Sequence, residues 1–311
     1  MAKKDFGSIL RDAGKRALGG GLPGLFAMII QVTALMWMRT LVNYQYKNGG
    51  TFMEAFYALY ADGGLTRFYS GYQFAIIAGP LARFGDTAAN AGILALCDGV
   101  VPVGFATMLA SAGAAMWRMF TQPVSNAKTL LQTNGNSQIF MDKIASGGLI
   151  TMWDGALGTM SSTWLGHYPW FLTYNTLEKY VPEDKFKGIM RLVRNAGLGF
   201  CASFVSDCVS NGMRVVTTVK INSPEEIGYL TVAQNIIKTD GVVGLIGRGL
   251  VTKVISNGIQ AMLFSVLWKH FSKKFAGKES ASSKKTDPNG EAEVVKSAVS
   301  TPTGSKSLRK R

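Results

Sequence analysis

Asp62-Gly63-Gly64-Leu65-Thr66-Arg67-Phe68-Tyr69-Ser70-Gly71 is the stretch whose reading decides the fold, because it returns twice. The second copy is Ser146-Gly147-Gly148-Leu149-Ile150-Thr151-Met152-Trp153-Asp154-Gly155. The third is Asp240-Gly241-Val242-Val243-Gly244-Leu245-Ile246-Gly247-Arg248-Gly249. Each copy opens on a small polar or acidic residue followed by Gly, and closes on Gly nine positions later, just ahead of a long apolar segment. The closing glycines are 84 and 94 residues apart. A pitch of that size makes the chain a threefold object built from repeated supersecondary units.

Working outward, the segments between the copies are apolar and poor in charge. The chain of 311 residues is 47% hydrophobic and 17% charged, with mean hydropathy +0.15. Soluble domains carry about 25% charged residues, so the deficit points to a bilayer, where ionisable groups are expensive. Residues 17–38, 99–117 and 155–177 contain no Asp, Glu, Lys or Arg, and a membrane span needs about 20 mostly apolar residues. Three further runs are interrupted: 68–97 by Arg83 and Asp86, 195–213 by Asp207, and 249–268 by Lys253. The expectation is an all-α membrane protein with six transmembrane helices, two per pseudo-symmetric repeat, and charges in the broken runs facing a wet interior. An even number of spans puts both termini on one side.

The repeats divide the chain into a basic N-terminal segment (1–16), three units (17–98, 99–182 and 187–275) and a polar, basic tail (278–311) read as disordered. Each unit is expected to hold a short amphipathic helix in its loop. In the first, Phe52, Phe56, Leu59 and Tyr60 form a helical stripe; in the third, Leu230, Ala233 and Ile237 do so. The closing glycine suits the start of the second long helix of each unit. Gly79, Gly85, Gly92, Gly158, Ser162 and Gly166 continue the small-residue pattern that lets membrane helices pack closely.

The formal charge of +14 is compatible with nucleic acid. The basic residues, however, sit at helix ends, in loops and in tails, which fits anionic lipid headgroups better. Cys97, Cys201 and Cys208 lie in apolar surroundings without metal-ligand spacing, and His167 and His270 are the only histidines. No metal site, cofactor or enzyme chemistry is expected. The N-terminus lacks the apolar core of a secretory signal.

The first long helix of the second unit carries Gln122-Pro123-Val124-Ser125-Asn126-Ala127-Lys128. Pro123 is expected to kink it. Arg39 and Arg214 take the place of Lys128 in the other units, whereas Ala34 and Val209 replace the proline. On these residues the chain resembles the mitochondrial carrier family, as a divergent member. That family has three repeats, six tilted helices, a Pro-x-Asp/Glu-x-x-Lys/Arg motif on odd helices, and Glu-Gly and aromatic-basic-Gly steps. Asp62-Gly63 and Asp240-Gly241 are similar to the Glu-Gly step; Tyr69-Ser70-Gly71 and Trp153-Asp154-Gly155 are similar to the aromatic step without its cation. The likeness covers about residues 17–275. It departs at the gates: Met36, Ser125 and Asn211 occupy the acidic slots, and Asn90-Ala91, Tyr174-Asn175 and Trp268-Lys269 lack the acids of the second network. Neutral hydrogen bonds of Ser125, Asn211 and Asn175 would then have to replace ion pairs.

The resemblance implies substrate contacts seven and eight residues after each repeat glycine: Ala78 and Gly79, Ser162 and Thr163, Ser256 and Asn257. Arg83 and His167, twelve after the glycine, and Arg118, five before Pro123, fall at further cavity-facing places. Asp86, three residues from Arg83, and Asp207 offer counter-charges; the same ions also suit simple helix-to-helix pairing. Gly71, Gly155 and Gly249 are the expected lipid-phosphate positions, cardiolipin being the lipid the resemblance names, with a tight helix start as the other reading. The expected function is a monomeric carrier moving a small polar, anionic metabolite across the mitochondrial inner membrane by alternating access. Plastid, peroxisomal and mitochondrial outer membranes are the other locations, and a transport-inactive scaffold or adaptor is the other function. A soluble nucleic-acid binder conflicts with the apolar runs.

Overall fold

The computed structural model describes residues 7, 22–97, 101–182, 186, 188–263 and 267. The tail and, apart from residue 7, the basic N-terminal segment lie outside them. So do the side chains of Arg83, Asn90 and Asn175. Among the described residues every regular element is a helix and no strand occurs, so the all-α class stands. The first sequence unit supplies α1 (Leu22–Asn48), α2 (Phe52–Arg67) and α3 (Tyr72–Cys97). The second supplies α4 (Val103–Phe120), α5 (Gln122–Asn134), α6 (Gln138–Gly147), a 3-10 turn (Leu149–Trp153) and α7 (Ala156–Tyr180). The third supplies α8 (Ile189–Asn222), α9 (Tyr229–Gly247) and α10 (residues 250–263).

Local chemistry sets these limits. Thr51 and Glu54 form a capping box that starts α2: the Glu54 amide donates to Thr51 Oγ1 and the Thr51 amide to Glu54 Oε2. Pro123 has no N–H to continue a helix, and the kink expected there is a complete break, with α4 ending at Phe120 and α5 starting at Gln122. One stripe needs correction. On α9 the buried positions are Val232 and Ile236, which pack on Val215 and Val216 of α8, while Leu230 and Ile237 are exposed. Both sets have helical spacing, and only the neighbour decides which face turns inward.

The helices pack side by side around a closed ring: α1 on α3, α3 on α4, α4 on α7, and α7 on α8. Residues of α10 touch both α8, through Asn257 and Asp207, and α1, through Gln260 and Arg39. At one end α1, α5 and α8 also meet one another.

The repeat glycines fix the spacing of this ring. Each has a left-handed backbone, with φ of +80° at Gly71, +75° at Gly155 and +63° at Gly249. Each also lies against the first long helix of the following unit. A β-carbon on Gly71 would stand 3.1 Å from the Lys128 carbonyl of α5. On Gly155 it would stand 2.7 Å from Ile221 of α8, and on Gly249 3.2 Å from the Val42 carbonyl of α1. The contact passes from unit one to two, two to three, and three back to one. Arginines reinforce two of the three junctions. Arg67 donates to the Gln132 and Thr133 carbonyls at the end of α5 while paired with Asp62; Arg248 donates to the Lys47 carbonyl at the end of α1 while paired with Asp240. Cations at helix C-termini complement the dipole there. At the remaining junction an aspartate, Asp154, pairs instead with Lys143.

Among the described residues two helical stretches are long and apolar enough to cross a membrane, Phe26–Asn48 and Tyr229–Leu263, each with mean hydropathy 1.3. The second is not one rod. Gly241, at φ +71°, kinks α9 from within, and Gly249 turns the chain between α9 and α10.

Replacing Gly155 with Ala combines a left-handed backbone with a crowded site, and should destabilise the protein by about 3 kcal/mol. Gly197→Ala in α8, where the added carbon meets nothing within 4 Å, should instead raise stability by up to about 1 kcal/mol. Thermal unfolding in detergent reads both. Equal effects would contradict the close approach at Gly155.

Candidate functional site

The ring encloses a cavity of about 500 Å³. Five basic side chains from five helices line it: Arg39 of α1, Arg118 of α4, Lys128 of α5, Arg214 of α8 and Lys253 of α10. Among the described residues no Asp or Glu lines it. The remaining polar lining consists of neutral hydroxyls and amides, among them Ser125, Asn126, Ser162, Ser256, Asn257 and Gln260.

The five cations have different partners. Arg118 forms a bidentate pair with Asp86 of α3, Nε donating to Oδ1 at 3.2 Å and Nη2 to Oδ2. Lys253 Nζ stands 3.7 Å from Oδ1 of the buried Asp207 of α8, whose other oxygen accepts from Asn257 Nδ2 at 2.5 Å. Arg39 donates from Nε and Nη2 to Gln260 Oε1, and Gln260 in turn donates to Ser256 Oγ at 2.8 Å. Arg214 donates from Nε to Ser210 Oγ, one turn back on its own helix, at 3.2 Å. Lys128, half-buried, makes no hydrogen bond or ion pair among the described residues. Low local dielectric makes each such charge a strong attractor for an anion.

Of the seven expected contacts, Arg118, Ser162, Ser256 and Asn257 line the cavity. Ser162 and Thr163 are both buried and return their hydroxyls to the Thr159 carbonyl on their own helix, and Thr163 lies off the cavity lining. His167, also off the lining, meets Phe171 edge-on with ring centroids 6.3 Å apart. Arg83 lies on α3 with its side chain undescribed, so the structure places only its backbone. The partner of Asp86 that is seen is Arg118, across the α3–α4 contact. The motif cations Arg39, Lys128 and Arg214, assigned to a gate by the resemblance, face the cavity, while Pro123 sits in the first turn of α5. Gly71, Gly155 and Gly249 stand at the starts of α3, α7 and α10. Sequence reasoning passed over Lys253 and Gln260 as ligand contacts. A lysine interrupting an otherwise apolar run was the available signal for the first.

Below the cavity α1, α5 and α8 are tied to one another by amides, hydroxyls and one lysine. Asn43 of α1 donates to Gln132 Oε1 of α5, and Lys47 Nζ to Asn134 Oδ1, both at 2.5 Å. Asn134 Nδ2 and Thr133 Oγ1 donate to Asn222 Oδ1 of α8, at 2.8 and 2.6 Å. Tyr46 of α1 donates to Asn211 Oδ1 of α8 at 2.8 Å. In each unit a polar side chain of the odd helix also donates to the carbonyl three residues before the repeat glycine: Thr40 to Phe68, Asn126 to Met152 and Asn211 to Ile246. Asn211 and the fully buried Met36 occupy slots that are acidic in the family pattern. The thioether of Met36 accepts from Gln132 Nε2 at 3.5 Å.

A scan against protein-family models and a search of curated proteins each found no match for this chain.

Asn134 both accepts from α1 and donates to α8, so Asn134→Ala removes a tie to each of two neighbouring helices at once. Stability should fall by about 2 kcal/mol, the cost of leaving buried partners unsatisfied. The same change at the neighbouring exposed Asn136 should cost under about 0.5 kcal/mol. Melting temperatures of the two variants in one detergent make the comparison.

Proposed function

We propose that the chain is a carrier-type membrane transporter for a small anionic metabolite. The observation that carries this reading is the cavity itself: five cations from five helices converge on it, without a lining carboxylate among the described residues. Its volume suits a metabolite rather than a polymer. In this reading α1, α3, α4 with α5, α7, α8 and α10 cross the bilayer, and α2, α6 and α9 lie at its surface.

The distribution of side chains supports a lipid surround. Gln122, Asn126, Gln132, Asp207 and Asn211 are buried, while Phe26, Phe105, Met116, Trp164, Leu172, Phe204 and Met262 are exposed. Apolar groups outside and polar groups inside suit hydrocarbon, whereas a large exposed apolar surface is rare on monomers in water. The inner mitochondrial membrane, cardiolipin at Gly71, Gly155 and Gly249, and a monomeric working state rest on the family resemblance alone.

The scaffold reading draws on a different observation, the neutral amide ties between α1, α5 and α8 where ion pairs are expected. Uptake separates the two. In reconstituted vesicles loaded with anions, a transporter should exchange them. Lys128→Ala and Arg214→Ala should each reduce uptake at least about tenfold, the loss of one charge-assisted contact, with melting temperature preserved. Arg118→Ala should abolish uptake and, by freeing Asp86, lower stability modestly. A scaffold would show no uptake in any of these proteins, including the unaltered one.

A further inference from the structure

Resting on the transporter reading, we infer that the solute carries at least two negative charges, and that Asp86 and Asp207 are built-in counter-ions that set this number. Arg39 is engaged through two of its nitrogens by Gln260, and the other four cavity cations fall into two classes. Arg118 and Lys253 each hold a carboxylate supplied by a neighbouring helix, Asp86 at 2.5 Å and Asp207 at 3.7 Å. Lys128 and Arg214 hold none: Lys128 has no polar partner among the described residues, and Arg214 has the Ser210 hydroxyl. These two cations come from different helices, α5 and α8, and both open onto the same space.

Buried charge without compensation is costly, and a bound ligand of opposite sign removes the cost. A monoanion satisfies one of the two cations and leaves the other exposed to the same low-dielectric cavity. A dianion satisfies both. The third charge of a trianion must draw Arg39 away from Gln260 or compete with Asp86 or Asp207, in each case for a cation that already has a partner. Asp207 is held in place by Asn257 as well as Lys253, so it is not readily displaced. The two aspartates therefore act as tethered stand-ins for ligand charge. Removing one should raise the preferred ligand valence by one, and removing Lys128 should lower it.

The test uses three probes of similar carbon skeleton, butyrate, succinate and tricarballylate, at constant ionic strength. Their binding to purified protein is read from the concentration dependence of melting temperature, and their uptake from competition in vesicles. The unaltered protein should bind succinate at least about tenfold more tightly than butyrate, a step of 1.4 kcal/mol. Asp207→Asn keeps an oxygen to accept from Asn257 and removes only the charge. It should shift the succinate-to-tricarballylate preference about tenfold toward the trianion, and Asp86→Asn should do the same independently should Asp207→Asn fail to fold. Lys128→Gln should erase the advantage of succinate over butyrate. Equal binding of butyrate and succinate, or an unchanged order in the folded aspartate variants, overturns the inference while leaving transport intact. Failure of all three probes to bind or to be taken up by the unaltered protein overturns the transporter reading along with it.

Discussion

Three bare stretches of backbone set the distances in this molecule. At Gly71, Gly155 and Gly249 the chain turns through a left-handed conformation and lies within van der Waals reach of the next unit's first long helix. A side chain there would hold the units apart. The ring would then open, and the hydrogen bonds below the cavity, which reach only 2.5 to 2.8 Å between α1, α5 and α8, would not form. The cavity depends on the same approach, because its five cations belong to five helices and converge only when those helices are drawn together. In the transporter reading the ring sits in lipid, where close packing of small residues is one of the forces that hold helices together.

The end of the cavity is tied by amides, hydroxyls and one lysine rather than by pairs of opposite charge. A neutral hydrogen bond contributes about 1 kcal/mol net and a charged one about twice that. The odd helices are thus held by many weak ties in place of a few strong ones. Arg39, Lys128 and Arg214, on the same three helices, line the cavity wall. Met36, Ser125 and Asn211 bring no acid to these cations, and the cavity is strongly cationic for that reason.

The helices, a disturbance at Pro123 (expected as a kink, found as a break) and the glycine-started helices α3, α7 and α10 were legible in the sequence because each has a local cause: a periodic pattern, a missing N–H, a backbone that only Gly adopts easily. The site was legible in part. Arg118, Ser162, Ser256 and Asn257 followed from phase within the repeat. What escaped was whatever depends on a neighbour. Asp86 reads as a counter-charge, but that Arg118 reaches it across a helix contact depends on α4 lying beside α3. Val232 and Ile236, not Leu230 and Ile237, face inward on α9 because Val215 and Val216 are there to receive them. Lys253 reads as a mere interruption of an apolar run until α8 brings Asp207 beside it.

The break at Pro123 has a mechanical side. α1 runs for 27 residues and α8 for 34 as single helices, whereas the corresponding leg of the second unit is an 18-residue piece joined to a 13-residue piece. Bending concentrates where the ladder of backbone hydrogen bonds is interrupted. An iris with two rigid leaves and one jointed leaf has unequal compliance around its axis, however regular its sequence repeat. Lys128 sits just past the joint and rides on the softest leaf, while Arg39 and Arg214 ride on the stiff ones.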